Sequence, residues 1–169
     1  MMLSAAIATD EDAAAIAQLR TAVADDLTRQ YGCGHWSAPA TEAGVLRGIK
    51  ASRVLVARSG SDIVATLRLV TRRPWAINPR YFTRVRQPLY LVDMAVEPRQ
   101  QRRGIGRYLL GHAMDVAGAW PSDAIRLDAY DAAAGAGPFY AKCGFREVGR
   151  VSYRGVPLVY FERVLRRGG

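Results

Sequence analysis

The stretch that decides the fold is Leu89-Tyr-Leu-Val-Asp-Met-Ala-Val-Glu-Pro98, then Arg99-Gln-Gln-Arg-Arg-Gly-Ile-Gly106, then Arg107-Tyr-Leu-Leu110. The first part is apolar and rich in β-formers, and it reads as a strand that the proline ends. A short Gln/Arg/Gly loop follows, and a helix opens directly from it. Such a junction presents backbone N–H groups at the positive end of a helix dipole. It is therefore a natural seat for a phosphate or pyrophosphate.

Working outward, residues 3–8 read as a first strand, and Thr9-Asp-Glu-Asp12 as a capping box before an amphipathic helix over 11–29 bearing Ile16, Leu19, Val23 and Leu27. Thr41 caps a second short helix with Val45, Leu46 and Ile49. Strands over 53–58 and 62–71 flank Ser59-Gly60-Ser61, a hairpin connection. Residues 72–88, with three prolines and the aromatics Trp75, Tyr81 and Phe82, form a long loop. The helix after Gly104 carries Ile105, Tyr108, Leu109, His112, Ala113 and Val116 as one stripe, and Gly118 and Pro121 stop it. Residues 124–130 alternate Ile125, Leu127 and Ala129 against Arg126, Asp128 and Tyr130, a strand pattern. A short helix over 138–143 ends at Gly144, and strands over 147–153 and 157–165 close the chain.

The 169 residues suggest one domain, and about half of them are apolar, enough for a core. No apolar run approaches the roughly 20 residues of a membrane span. The N-terminal stretch lacks a basic segment before its apolar residues, unlike a secretion signal. Cys33 and Cys143 are far apart and outside any CxxC pair, and His35 and His112 are the only histidines. We therefore expect no disulfide framework, no metal site and a cytoplasmic protein. The net charge is +9, carried almost wholly by arginine: Lys50 and Lys142 are the only lysines. Arginine favours forked contacts with phosphate. Nucleic-acid binding is disfavoured, because the arginines are spread along the chain and no nucleic-acid-binding motif is present.

Gln101-Arg-Arg-Gly104-Ile-Gly106 resembles the Gln/Arg-x-x-Gly-x-Gly/Ala signature of the GNAT superfamily of acetyl-CoA-dependent N-acetyltransferases. Its context strengthens the resemblance. Ala95-Val96-Glu97-Pro98 precedes it as the fourth strand does in that family, and Phe139-Tyr140-Ala-Lys142-Cys-Gly144-Phe145 is similar to the family's Phe-Tyr-x-Lys-x-Gly-Phe segment. Ala136 also fits, but the Asn that many relatives carry seven residues before the tyrosine is Ala133 here, with Asp131 the nearest polar substitute. A dinucleotide fold would want a third glycine where Leu109 stands, and a nucleotide P-loop would want Gly-Lys-Ser/Thr.

The resemblance implies an α/β (α+β) GNAT fold over residues 1–169, with a central mixed, mostly antiparallel sheet splayed between its fourth and fifth strands. It implies acetyl transfer from acetyl-CoA to a primary amine, on a small molecule or a peptide, by direct attack. The pyrophosphate would lie on Gln101, Arg102, Arg103, Gly104, Ile105, Gly106 and Arg107, and the pantetheine arm on Met94, Ala95 and Val96. Ala136, Phe139, Tyr140 and Lys142 would complete the cofactor site. Tyr140 would be the general acid for the leaving thiol. Asp93 is the candidate for binding or deprotonating the amine. Glu97, on the same face by strand parity, is a solvated alternative, and Asp128 and Asp131 are further candidates. Trp36 and Trp75 would line the acceptor pocket. Family members often form homodimers. The competing function is a non-catalytic acyl-CoA-binding module.

Overall fold

In a computed structural model, which describes residues 2–165, the chain runs in order through β1 (Leu3–Ile7), α1 (Ala13–Tyr31), α2 (Glu42–Ala51), β2 (Arg53–Ser59), β3 (Asp62–Val70), β4 (Pro88–Val96), α3 (Ile105–Ala119), β5 (Ala124–Tyr130), α4 (Gly137–Lys142), β6 (Arg146–Tyr153) and β7 (Val156–Val164). The strands form one seven-stranded sheet in the order β1-β2-β3-β4-β5-β7-β6. The pairs β1·β2, β2·β3, β5·β7 and β6·β7 are antiparallel. β4 and β5 run parallel, with register from Pro88↔Ala124 to Tyr90↔Arg126. Both strands continue beyond that register.

The chain divides into two compact units. One comprises the residues up to Val70 with Val92–Met114; the other comprises Thr71–Leu91 with the residues from Asp115 onward. In the first unit, the Thr9 N–H donates to Asp12 Oδ2 at 2.9 Å, and the Asp12 N–H to the Thr9 carbonyl at 3.0 Å. The capping box therefore forms, but residues 10–12 make a turn of 3₁₀ helix before α1. The Thr41 hydroxyl accepts the Gly44 N–H at 3.1 Å and caps α2. Ala13, Ile16, Ala17 and Val45 of the two helices pack with Val54 and Val56 of β2. Residues 54–57 of β2 and 64–67 of β3 are all buried, as strands covered on both faces must be. Glu97 donates its N–H to the Val64 carbonyl at 2.8 Å, which ties the end of β4 to β3.

In the second unit, residues 71–87 are an ordered arm rather than a free excursion. The Tyr160 hydroxyl accepts the Asn78 N–H at 3.1 Å and donates to the Ala76 carbonyl. The Phe82 ring lies 5.1 Å from the Tyr160 ring. The Thr83 N–H and hydroxyl both donate to the carboxylate of Glu162, which is 1 % exposed. The N–H groups of Arg86 and Gln87 donate to Asp123 Oδ2 at 3.1 and 2.9 Å. The expected alternation of β5 is corrected here: residues 124–127 are all buried, and Arg126 is 5 % exposed. Arg126 survives there because Nη2 donates to the Thr83 carbonyl at 2.9 Å and Nη1 to the Tyr90 hydroxyl at 3.3 Å, with the Phe82 ring 5.1 Å below the guanidinium.

Candidate active site

The loop between β4 and α3 lies in the first unit. Gln101 is exposed, and its side-chain amide donates to the Val96 carbonyl at 3.1 Å, pinning the start of the loop to the end of β4. Arg102 (φ 63) and Gly104 (φ 81) both adopt left-handed backbone. That conformation costs an arginine about 1–2 kcal/mol and glycine almost nothing. It turns the loop tightly into α3, whose first helical bond runs from the Tyr108 N–H to the Gly104 carbonyl at 2.9 Å. Helix geometry leaves N–H groups of the first turn, at Ile105 and Gly106, without an intrahelical acceptor. A Cβ at Gly104 would meet nothing within 4 Å, so the space over the loop is open. Arg102, Arg103 and Arg107 are exposed around it. The junction can thus receive an anion through backbone donors, with three guanidiniums nearby.

Upstream on β4, Ala95 is buried while Met94 and Val96 are half-buried. Asp93 has φ 55, a left-handed residue inside a strand. The pleat is broken there, so the parity that put Asp93 and Glu97 on one face does not carry across it. Asp93 joins two arginines that the sequence did not single out. Arg20 Nη2 of α1 lies 3.2 Å from Oδ1, and Arg68 Nε of β3 lies 3.3 Å from Oδ2. The Arg68 contact is close enough for charge attraction but off the line of the N–H, which is buried without a hydrogen-bond acceptor. These three side chains, with Gly44 and Gly48 of α2, border a small cavity. Trp36 lies in the same unit. Its indole N–H donates to the Gly32 carbonyl at 3.0 Å, and the half-buried ring is committed to its own loop.

The second unit holds Tyr140 on α4. Its ring is 6 % exposed and packed edge-on to Phe139 and Phe145, at 5.2 and 5.7 Å. Burial, reinforced by the nearby Asp128 carboxylate, pushes the Tyr140 hydroxyl well above the ordinary phenol range. Burial likewise raises the Asp128 carboxyl on β5. Ala136, exposed, precedes α4, and its carbonyl accepts the Tyr140 N–H at 3.2 Å. Phe139 is half-buried and Lys142 is exposed. The small-residue run before α4 has a steric reason: a Cβ at Gly135 would lie 1.8 Å from the Tyr130 carbonyl oxygen. Asp131 is engaged by Arg150 at 3.1 Å. Trp75 is 82 % exposed, whereas Phe82 belongs to the core.

Arg20 and Arg68 are the residues that sequence reasoning missed. Arg68 did leave a signal, since it is the one charge in the run Val64-Ala-Thr-Leu-Arg-Leu-Val70. A cation in a strand covered on both faces needs a partner or a purpose. Arg20 left none, because an arginine beside an amphipathic stripe is ordinary helix surface. Among the described residues, no group of three or more His, Cys, Asp or Glu side chains is placed to hold a metal ion, and no helix is long and apolar enough to cross a membrane.

No curated protein sequence matches the chain. Among solved structures, it is similar to an N-acetyltransferase from Staphylococcus aureus Mu50, with 16% identity over 98% of this chain and 100% of that one and a TM-score of 0.74. It is also similar to yncA of Salmonella typhimurium, solved with its cofactor acetyl-CoA, at 17% identity over 98% of this chain and 95% of that one, TM-score 0.73. The ribosomal-protein-S18-alanine N-acetyltransferase of Escherichia coli aligns at 16% identity over 99% of this chain and 97% of that one, TM-score 0.69. At these identities the likeness is one of fold. The acetyltransferase (GNAT) family model matches residues 20–145, across both units. With that match over most of its length, the chain belongs to the acetyltransferase (GNAT) family, whose enzymes draw the acetyl group from acetyl-CoA.

Proposed function

We propose that residues 1–169 form one N-acetyltransferase domain that passes the acetyl group of acetyl-CoA to a primary amine. The observation that carries this reading is the open, left-handed loop at Arg102 and Gly104 leading into α3, ringed by Arg102, Arg103 and Arg107. Its donor set fits the diphosphate of a CoA ester. The N–H groups of Ile105 and Gly106 and the arginine charges would hold that diphosphate, while Gln101 keeps the loop against β4. When bound, acetyl-CoA supplies a thioester whose carbonyl an amine can attack.

The backbone of Met94, Ala95 and Val96 would pair with the amide-rich arm, as a peptide adds to a sheet edge. The Ala95 or Val96 N–H would donate to the thioester oxygen. Tyr140 would donate its hydroxyl to the departing sulfur. Because burial keeps the phenol protonated, it would act through a hydrogen bond held throughout the reaction more than by giving its proton away completely. The base role moves to Asp128. Asp93 already answers two guanidiniums, whereas burial makes Asp128 a stronger base than an ordinary aspartate. Ala136, Phe139 and Lys142 flank Tyr140 in sequence and would contact the cofactor. The exposed ring of Trp75 remains free to cover an acceptor; the committed indole of Trp36 is the weaker candidate.

The test is release of free CoA from acetyl-CoA across a panel of amines. Amine-dependent release supports the enzyme. Tight acetyl-CoA binding with no release for any amine would instead favour the acyl-CoA-binding module.

A further inference from the structure

The cluster around Asp93 carries more charge than its own ion pairs consume. Two guanidiniums, Arg20 and Arg68, meet one carboxylate, which leaves one positive charge in excess. Both arginine side chains are half-buried, 30% and 31% exposed. A buried donor normally has an acceptor, yet the Arg68 Nε–H, like that of Arg126 in the other unit, has none. Ile16, Val45, Val54 and Leu67 line the same cavity with apolar surface. The polar groups that face it are Arg20, Arg68, Asp93 and Thr66.

The sequence makes room for this arrangement. A Cβ at Gly48 would lie 2.9 Å from Arg68 Nη1 and 3.3 Å from Cδ, so glycine on α2 lets the guanidinium lie flat against the helix. Asp93 takes a left-handed backbone inside β4 and still keeps its carboxylate within 3.3 Å of both arginines. A purely structural ion pair would need neither the second arginine nor the vacated helix face. The arrangement has the elements of an anion seat: a forked cation, a second cation, and a carboxylate that holds both in place.

Resting on the acetyltransferase reading above, we propose that the cavity framed by Arg20, Arg68 and Asp93 receives a carboxylate carried by the acceptor, so that the substrates are small amines bearing an acid group. The cavity, about 20 Å³, is close to one water in size, so a carboxylate would meet the guanidiniums from its mouth rather than enter it. Asp93 is then a positioning residue for the two guanidiniums. A polyamine, being cationic, is repelled from the same seat.

The test compares glycine, β-alanine and γ-aminobutyrate with their carboxamides, with butylamine and with spermidine. Acetylation is followed by CoA release, and binding to the CoA-saturated protein by calorimetry. The expected result is a KM at least tenfold lower for one of the amino acids than for its carboxamide. Arg68→Met should remove that preference, and Arg68→Lys should retain part of it if the Met variant fails to fold. Asp93→Asn, which tolerates the left-handed backbone, should raise KM for the preferred amino acid toward that of its carboxamide, because the guanidiniums lose the group that holds them, and should leave KM for butylamine unchanged. Equal or better use of butylamine, carboxamides or spermidine by the wild-type enzyme overturns the proposal and leaves the acetyltransferase reading standing. A KM for butylamine raised as much as that for the amino acid in Asp93→Asn also overturns it, since that is the mark of a carboxylate that binds the amine itself. If no amine is acetylated, the acetyltransferase reading fails, and calorimetry alone decides the seat. Amino-acid binding that Arg68→Met abolishes supports it, and the absence of binding to wild type overturns it.

Discussion

Tyr140 and Asp128 are pushed in the same direction by burial, and in the proposed mechanism the consequences would serve opposite ends of one reaction. A phenol that resists ionisation is a poor proton giver but a constant hydrogen-bond donor; a carboxylate that resists ionisation is a better proton acceptor. Tyr140→Phe removes the donor and keeps the packing against Phe139 and Phe145. The expected loss is about 10²–10³-fold in kcat, the scale of one donor to developing charge, with acetyl-CoA affinity retained; a kcat within about threefold of wild type would retire the residue from the chemistry. Asp128→Asn should separate activity from stability. An aspartate whose folded pKa is raised binds its proton more tightly when folded. Its stabilising contribution is therefore complete below the unfolded value of about 3.9 and is lost as pH rises through the folded value. At pH 7 the asparagine variant should melt higher than wild type while kcat falls by at least about 10²-fold; near pH 4 the melting advantage should vanish. A lower Tm at pH 7 with intact kcat would assign Asp128 to the scaffold. Tyr140 was legible in the sequence through its motif, and Asp128 only as one acid among several. Its burial comes from residues distant in sequence, which no local pattern reports.

At the scale of elements, the loop and α3 were legible because they are local. A strand ended by Pro98, a glycine at the one position that needs φ 81, and a helix start all lie within one short run. The buried stripe of α3 is slightly rotated from the sequence expectation: Ile105, Leu109, Ala113 and Ala117 are fully buried, whereas Tyr108 is 40% exposed and its hydroxyl donates to the Leu3 carbonyl at 3.4 Å. An amphiphilic tyrosine at the edge of a stripe reads as apolar in a periodicity count. Gly104→Val puts a branched residue into left-handed backbone and fills the open space over the loop. We expect acetyl-CoA affinity to fall at least tenfold, or about 1.4 kcal/mol, and unchanged affinity in a folded variant would remove the diphosphate from this loop. The arm over 71–87 was the least legible element, because its order comes from distant partners in β5 and β7. Its central anchor is Glu162. Burial alone would raise that carboxyl, but the Thr83 hydroxyl and N–H and the Arg146 guanidinium hold it below the ordinary range. Glu162→Gln should cost about 1–3 kcal/mol in chemical denaturation at pH 7, chiefly through the Thr83 bonds, because Arg146 is 70% exposed and its attraction is screened. A depressed carboxylate stabilises fully above its unfolded value of about 4.3 and loses that contribution as pH falls through the folded value. The gap between wild type and variant should therefore close in acid; a gap that persists there would assign the effect to packing.

For the whole molecule, the +9 charge gains its meaning from where the arginines stand. Arg20, Arg68 and Arg126 are drawn inward and engaged with acids, carbonyls or a ring. Arg102, Arg103 and Arg107 stand exposed at one helix start. Composition cannot make that division, which depends on where the fold buries each residue. The three arginines at the helix start are the part of that charge a diphosphate on the loop would meet. Acetyl-CoA, carrying a diphosphate, should therefore stabilise the protein by linkage, by about 2.7 kcal/mol at a hundredfold excess over Kd. Part of that gain is electrostatic and should shrink as salt rises toward 0.5 M. Hydrogen exchange with and without acetyl-CoA would locate the effect. The largest gain in protection is expected over residues 94–107, where the backbone donors of β4 and the helix start meet the ligand, and in the first turn of α3. Duplex DNA should give no comparable protection at the same salt. Protection confined to other segments, or equal protection by DNA, would mean that the exposed arginines form a general anion surface, and the assignment of the loop to the cofactor would fall with it.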